Sequence, residues 1–196
     1  GALAALRSGD VDAVADFNES IYAAALFGGA LSWIQGMFLR TGPVFLGLAE
    51  PGRRNRFAAV AVRPALAFGQ TGALSAVLGA MIVGGPVDNP LTDVSLFLLS
   101  ASVVAFVAAV RPFRRAARGH GDRDFARLIA LAFAAALLFA TLGASYAAMD
   151  LAGHRANKLL YDGARHAFTL GLVTTMIFAM AGRILALKHP SEACAL

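Results

Sequence analysis

The chain has 196 residues, of which 58% are hydrophobic and only 15% charged. Soluble domains average about 45–50% apolar and about 25% charged residues, so this composition excludes an ordinary soluble domain and points to a membrane protein. The net charge of +5 does not mark a nucleic-acid partner, because the basic residues sit in the connections between apolar runs. Cys194 is the only cysteine and excludes an internal disulfide. Gly1 is not followed by a basic segment with a cleavage pattern, so no signal peptide is expected there.

In chain order, residues 1–20 come first, with the acidic, mildly amphipathic "ALRSGDVDAVADF", predicted to lie outside the membrane as a loop or interfacial helix. A transmembrane helix needs about 20 mostly apolar residues. Five such stretches are predicted: Tyr22–Leu39, Ala65–Val83, Val94–Val110, Leu128–Met149 and Ala164–Leu187. "EPGRRN", "GGPVDNP", "RPFRRAARGHGDRD" and "DLAGHRANKLLYDG" supply the turn chemistry between them. Residues 189–196 follow as a short tail. The fold class expected is all-α, a polytopic transmembrane helix bundle of about five spans over residues 21–188.

Basic residues set the orientation. The first–second connection, the third–fourth connection and the C-terminus share one side and hold 13 Lys and Arg, while the other side holds 4. The positive-inside rule then predicts an outside N-terminus and a cytoplasmic C-terminus, as a multi-pass protein of the bacterial inner membrane.

The first and last spans echo one another. "GGALSWIQGMFLR" and "GLVTTMIFAMAGR" align Gly28 with Gly171, Met37 with Met180 and Arg40 with Arg183, and both run the same way across the membrane. A parallel repeat is one way such proteins are built. Small residues, Met and a terminal Arg are also common in any span. At this offset His166 falls on Ala23, so the imidazole is not part of the shared helix pattern.

His166 is the main functional candidate. An ionisable side chain in a membrane helix is a functional candidate by default, and a neutral imidazole can ligate haem iron, copper or zinc. The plain alternative is an interfacial side chain beside Arg165. Met180 lies 14 residues further on, roughly 21 Å along a helix, too far to share a metal with it. A second ligand must come from elsewhere. His154 lies on the same outer side, and Tyr146 and Asp150 are candidates to support a ligand by hydrogen bonding. His120 and His189 fall on the cytoplasmic side and read as solvated. Arg40 and Arg183 are candidates for a haem propionate or lipid head groups, or plain interfacial anchors. Trp33 and Gln35 read as helix-packing residues, and Gln70 is expected to face protein or a cavity. No nucleotide, Walker, CxxC or HExxH motif is present, and no catalytic constellation is visible.

"RHAFTLGLVTTMIFAMAGRIL" resembles the histidine-led helix of the NnrS family, and "GMFLRTGPVFLGL" resembles that family's Arg-x-x-Pro-x-Phe element. The resemblance implies a haem- and copper-containing polytopic membrane protein associated with bacterial nitric oxide response and denitrification. It implies a metal role for His166. Members usually carry more spans and further histidines, and "RILALKHP" replaces their usual Gly-His, which implies a C-terminal portion or a reduced relative. Two functions follow as expectations: a haem- or copper-binding membrane protein with His166 as ligand and His154, Arg183 and Arg40 as further contacts, or a non-catalytic structural subunit of a larger membrane complex. The expected partners are the lipid bilayer and membrane proteins or further copies of the chain. A transporter is disfavoured, since no span is broken by Pro at its midplane and no buried carboxylate is read.

Overall fold

The computed structural model describes residues 18, 21–22, 24–46, 56–82, 90–113, 123–154 and 157–188. The expected acidic segment 1–20, apart from residue 18, and the tail 189–196 lie outside the described residues, as do His120, His189 and Cys194. The described chain is all helical. Helix α1 opens as a π turn at Ala24–Ala30 and continues as an α-helix over Leu31–Leu46. Helices α2 (Arg56–Ile82), α3 (Pro90–Val110) and α4 (Arg123–Leu151) follow. Helix α5 has three parts: Lys158–His166, a π turn at Ala167–Thr174, and Thr175–Lys188.

The helix ends follow local chemistry. Helix α3 starts at Pro90, whose missing N–H costs nothing in the first turn. It stops where Arg111 turns to φ 53 with its N–H still bonded to the Val107 carbonyl at 2.8 Å, and Pro112 prevents continuation. Helix α4 closes in a Schellman motif. Gly153 takes φ 73, its N–H bonds to the Asp150 carbonyl, and the His154 N–H reaches back to the Met149 carbonyl at 3.0 Å. Asn157 then caps α5 by accepting from the Leu159 N–H at 2.9 Å. Helix α2 runs through Pro64 and begins at Arg56, well before the expected start at Ala65. Helix α5 likewise begins at Lys158 rather than Ala164. The amphipathic segment "KLLYDGARH" is too polar to read as a span, yet it extends the helix outward by two turns.

Consecutive helices are antiparallel. Gly28 faces Ala73 and Ser32 faces Gln70 between α1 and α2. Between α3 and α4, Leu96 lies beside Tyr146 while Phe106 lies beside Phe133. Gly163, Gly171 and Arg183 on α5 meet Leu142, Ala135 and Phe125 in turn along α4. Helix α1 closes the bundle through two aromatic groups. Phe27 meets Phe139 and Phe168, each at 5.2 Å between ring centroids, and Phe38 meets Phe133 at 4.8 Å and Phe106 at 6.4 Å. Since Phe27 and Phe38 track down α4 in reverse, α1 runs parallel to α5. Edge-to-face rings at these distances add to the dispersion contacts that hold helices together where lipid removes the hydrophobic drive.

Apolar side chains fill the interior and also cover much of the exterior, where Leu170 and Phe178 are 63% and 67% exposed. A few polar groups lie inside: Gln35, Asp93 and Ser102 are buried at 1%, 2% and 0% exposure. Among the described residues three helices are long and apolar enough to cross a membrane: Pro90–Val110, Asp124–Leu151 and Lys158–Leu185. An ion pair between Asp124 and Arg127, at 2.9 Å, is exposed on the first turn of α4, where such pairs contribute little.

The echo between the first and last helices takes a specific form. At the offset that aligns Gly28 with Gly171, the π turn beginning at Ala24 falls on the one beginning at Ala167. Each glycine lies so close to its neighbour that an added Cβ would overlap an alanine, Ala73 for Gly28 and Ala135 for Gly171. Beyond the turn the likeness stops. Ile34 is buried and its counterpart Ile177 exposed, whereas Trp33 is exposed and its counterpart Met176 buried.

Candidate functional site

His166 is the last residue of the first α-helical part of α5, at the junction with the π turn. It lies eight residues beyond Lys158, about 12 Å into the helix, rather than at its tip. Its ring is exposed, and Nδ1 lies 2.7 Å from the Asp162 carbonyl oxygen. A carbonyl has only lone pairs, so Nδ1 carries the hydrogen and donates. In the neutral ring Nε2 therefore keeps its lone pair, the tautomer a metal-ligating histidine needs.

The same face explains how the sequence holds this geometry. Thr169 Oγ1 donates to the Arg165 carbonyl at 2.8 Å, and Thr174 Oγ1 donates to the Thr169 carbonyl at 2.9 Å. With His166 these three side chains form a ladder onto main-chain oxygens through the stretch where α-helical bonding gives way to the wider turn. His166 thus has a structural role that requires no metal. Beside it, Arg165 lies 5.8 Å over the Tyr161 ring, and Tyr161 lies 5.4 Å from Tyr146. Both tyrosines are buried with Leu96.

The other candidates from the sequence are spread along the bundle. His154 is exposed in the turn after α4, fixed by the Schellman bond of its own backbone. It precedes α5, in which His166 lies about 12 Å along the axis from Lys158. Asp150 is part-buried near the end of α4. Arg183 is half-buried at the opposite end of α5, 5.9 Å over the Phe125 ring. Seventeen residues, or about 25 Å, separate it from His166. Arg40 is exposed near the same end of the parallel α1. Met180 is part-buried.

Against a haem or copper, the described residues supply one ligand rather than a set. No group of three or more His, Cys, Asp or Glu gathers among them. A cavity inside the bundle, lined by Leu31, Gln35, Phe106, Phe133 and Leu172 among others, has a volume of about 10 Å³, room for one water at most. Among the described residues the fit to such a group is limited to one exposed donor, His166.

Two readings from the sequence need correction. A buried carboxylate exists: Asp93 is 2% exposed, because Pro90 starts α3 a turn before the apolar run and carries Asp93 into the bundle. It shares a face of α3 with Leu96 and Ser100, at the end of the bundle where Tyr146 and Tyr161 lie. Trp33 is not a packing residue but projects outward at 62% exposure. Gln35 does pack, donating to Ser102 Oγ at 2.9 Å, with its Oε1 buried and unbonded. Asp93 and Ser100, like Ser95 and Ser102, are spaced by seven, and this pair of polar lines in "LTDVSLFLLSAS" was the available signal.

These features define the class: an all-helical protein, three of whose helices are long and apolar enough to cross a bilayer. No protein-family model matches the chain, and neither a curated protein nor a solved structure matches it.

Proposed function

We propose that this chain is a five-span integral protein of the bacterial inner membrane, N-terminus outside and C-terminus cytoplasmic, that offers His166 as one ligand to a haem or copper at the outer boundary. The observation that carries this reading is the bond from Nδ1 to the Asp162 carbonyl, which leaves Nε2 as an exposed lone-pair donor. Two further features support membrane insertion, the apolar exterior and the alternating helix directions. In this topology His166, His154 and Asp93 share the outer side, while Arg40 and Arg183 mark the cytoplasmic boundary. The resemblance of "RHAFTLGLVTTMIFAMAGRIL" to the NnrS helix links such a metal to nitric oxide response and denitrification.

Purification of the protein in mild detergent tests the proposal by its visible spectrum and metal content. A Soret band or bound copper that is lost in His166→Ala is the expected result. A colourless, metal-free protein would sink it. A second reading, a non-catalytic subunit of a membrane complex, is favoured by the polar surface patch at Gln70 and Ser32, which lipid cannot satisfy. Colourless protein recovered in fixed stoichiometry with a partner would establish that reading instead.

A further inference from the structure

Gln70 sits at the centre of α2, 14 residues from Arg56 and 12 from Ile82, about 20 Å from either end. The hydrocarbon core of a bilayer is about 30 Å thick. If α2 crosses it, as the proposed topology requires, Gln70 lies near the midplane, and it is exposed on the bundle's outer face. One of its two N–H groups donates to Ser32 Oγ on α1 at 2.7 Å. A carboxamide also has a second N–H and an oxygen with two lone pairs. Acyl chains satisfy neither, and an unpaired polar group in hydrocarbon is costly.

The surroundings are shaped for a close neighbour. Gly29 and Gly36 flank Ser32 on the same face of α1, one turn before and one turn after. An added Cβ at either would meet nothing within 4 Å. Trp33 stands at the rim, 62% exposed. The floor is low, the rim bulky and the centre hydrogen-bonding. Small residues that admit a backbone, with an amide to bond across, are the recurring means by which membrane helices associate.

We propose that the α1–α2 face centred on Gln70 is where two copies of this chain meet inside the bilayer. The choice of a second copy follows from the chemistry of the group. A carboxamide is its own complement: across a two-fold axis each Gln70 donates to the other's oxygen, and the donors and acceptors balance. The same axis sets each Trp33 against the glycine hollow of the opposite α1. The groups at the centre of the patch, Gly29, Ser32, Trp33, Gly36 and Gln70, are uncharged, so no partner of opposite charge is called for.

The test uses the full chain in native membranes and in proteoliposomes. In a Cys194→Ser background, Leu74→Cys places a thiol one turn from Gln70, at a position 59% exposed, and Ile177→Cys places one on the outer face of α5, 56% exposed. Oxidative cross-linking is expected to give a homodimer from the first and not the second. Energy transfer between labelled copies, followed as lipid is added, is expected to show about tenfold weaker association in Gln70→Leu. Gln70→Leu also deletes the bond to Ser32, so Ser32→Ala, which removes that bond and keeps the carboxamide, serves as the control: it is expected to lower the detergent melting temperature as Gln70→Leu does and to leave association in lipid near the parent level. If Leu74→Cys is shielded from a membrane-impermeant maleimide on both sides, yet neither cross-links nor transfers energy, the dimer is overturned and the five-span reading stands. If it labels freely from water, α2 is not in the bilayer and the five-span reading fails with the dimer. Cross-linking to a different protein also overturns the second copy as occupant.

Discussion

The first and last helices both widen into a π turn, Ala24–Ala30 and Ala167–Thr174, and the two turns are held open by different means. The first, "AALFGGA", contains no side chain able to donate to a carbonyl. Packing holds it: Phe27 sits between Phe139 and Phe168, and Gly28 lets α1 close onto Ala73. The last turn also uses a glycine, Gly171 against Ala135, but adds the His166, Thr169 and Thr174 bonds to main-chain oxygens. The close approach is common to both, so the glycine is the shared requirement. The hydrogen-bonded ladder is particular to α5, and His166 belongs to that ladder. The comparison separates what builds the helix from what a ligand can use.

Substitution at the glycines is expected to have the largest effect. Gly28→Leu or Gly171→Leu must push a neighbouring helix away, since even a Cβ overlaps an alanine there. A loss of about 3 kcal/mol is expected for each, read as unfolding in detergent, and equal losses would confirm that the two turns share one constraint. Phe168→Ala comes next. It removes a ring buried against Phe27 and Phe139, yet lipid tails are as apolar as the core, so only the packing contribution is lost. About 2 kcal/mol is expected, below the about 3–5 kcal/mol of a water-soluble core. Thr174→Val keeps the shape and deletes one bond of the ladder, for about 1 kcal/mol. The smallest stability change is expected from His166→Gln, because the Asp162 carbonyl it serves is near the exposed surface. Should that variant lose more stability than Thr174→Val, the imidazole is structural first, and the proposed ligand role weakens.

Several features were legible in the sequence because they depend on composition over a whole segment. The five helices follow from apolar runs, and their connections from Gly, Pro and charge. The Gly28–Gly171 echo was visible as spacing, but spacing alone does not distinguish a shared turn from a shared packing face. Ile34 and Ile177 show the difference, one buried and one exposed. Helices begin before their apolar runs wherever the first turns are polar, at Arg56, Pro90 and Lys158. An apolar run therefore does not report Asp93, whose burial depends on a proline four positions before Val94. The sequence singles out His166 as a candidate ligand, but the tautomer of its ring rests on a backbone carbonyl one turn back, which no residue pattern reports.

The account depends on both π turns lying toward the same, outer face of a membrane crossed five times. Accessibility of single cysteines to a membrane-impermeant maleimide measures this most directly, in a Cys194→Ser background with one thiol at His154 and another at Phe113. In intact spheroplasts the first is expected to label at once, and the second only after the membrane is opened. Labelling of Phe113→Cys from outside, or protection of His154→Cys until lysis, would contradict the arrangement.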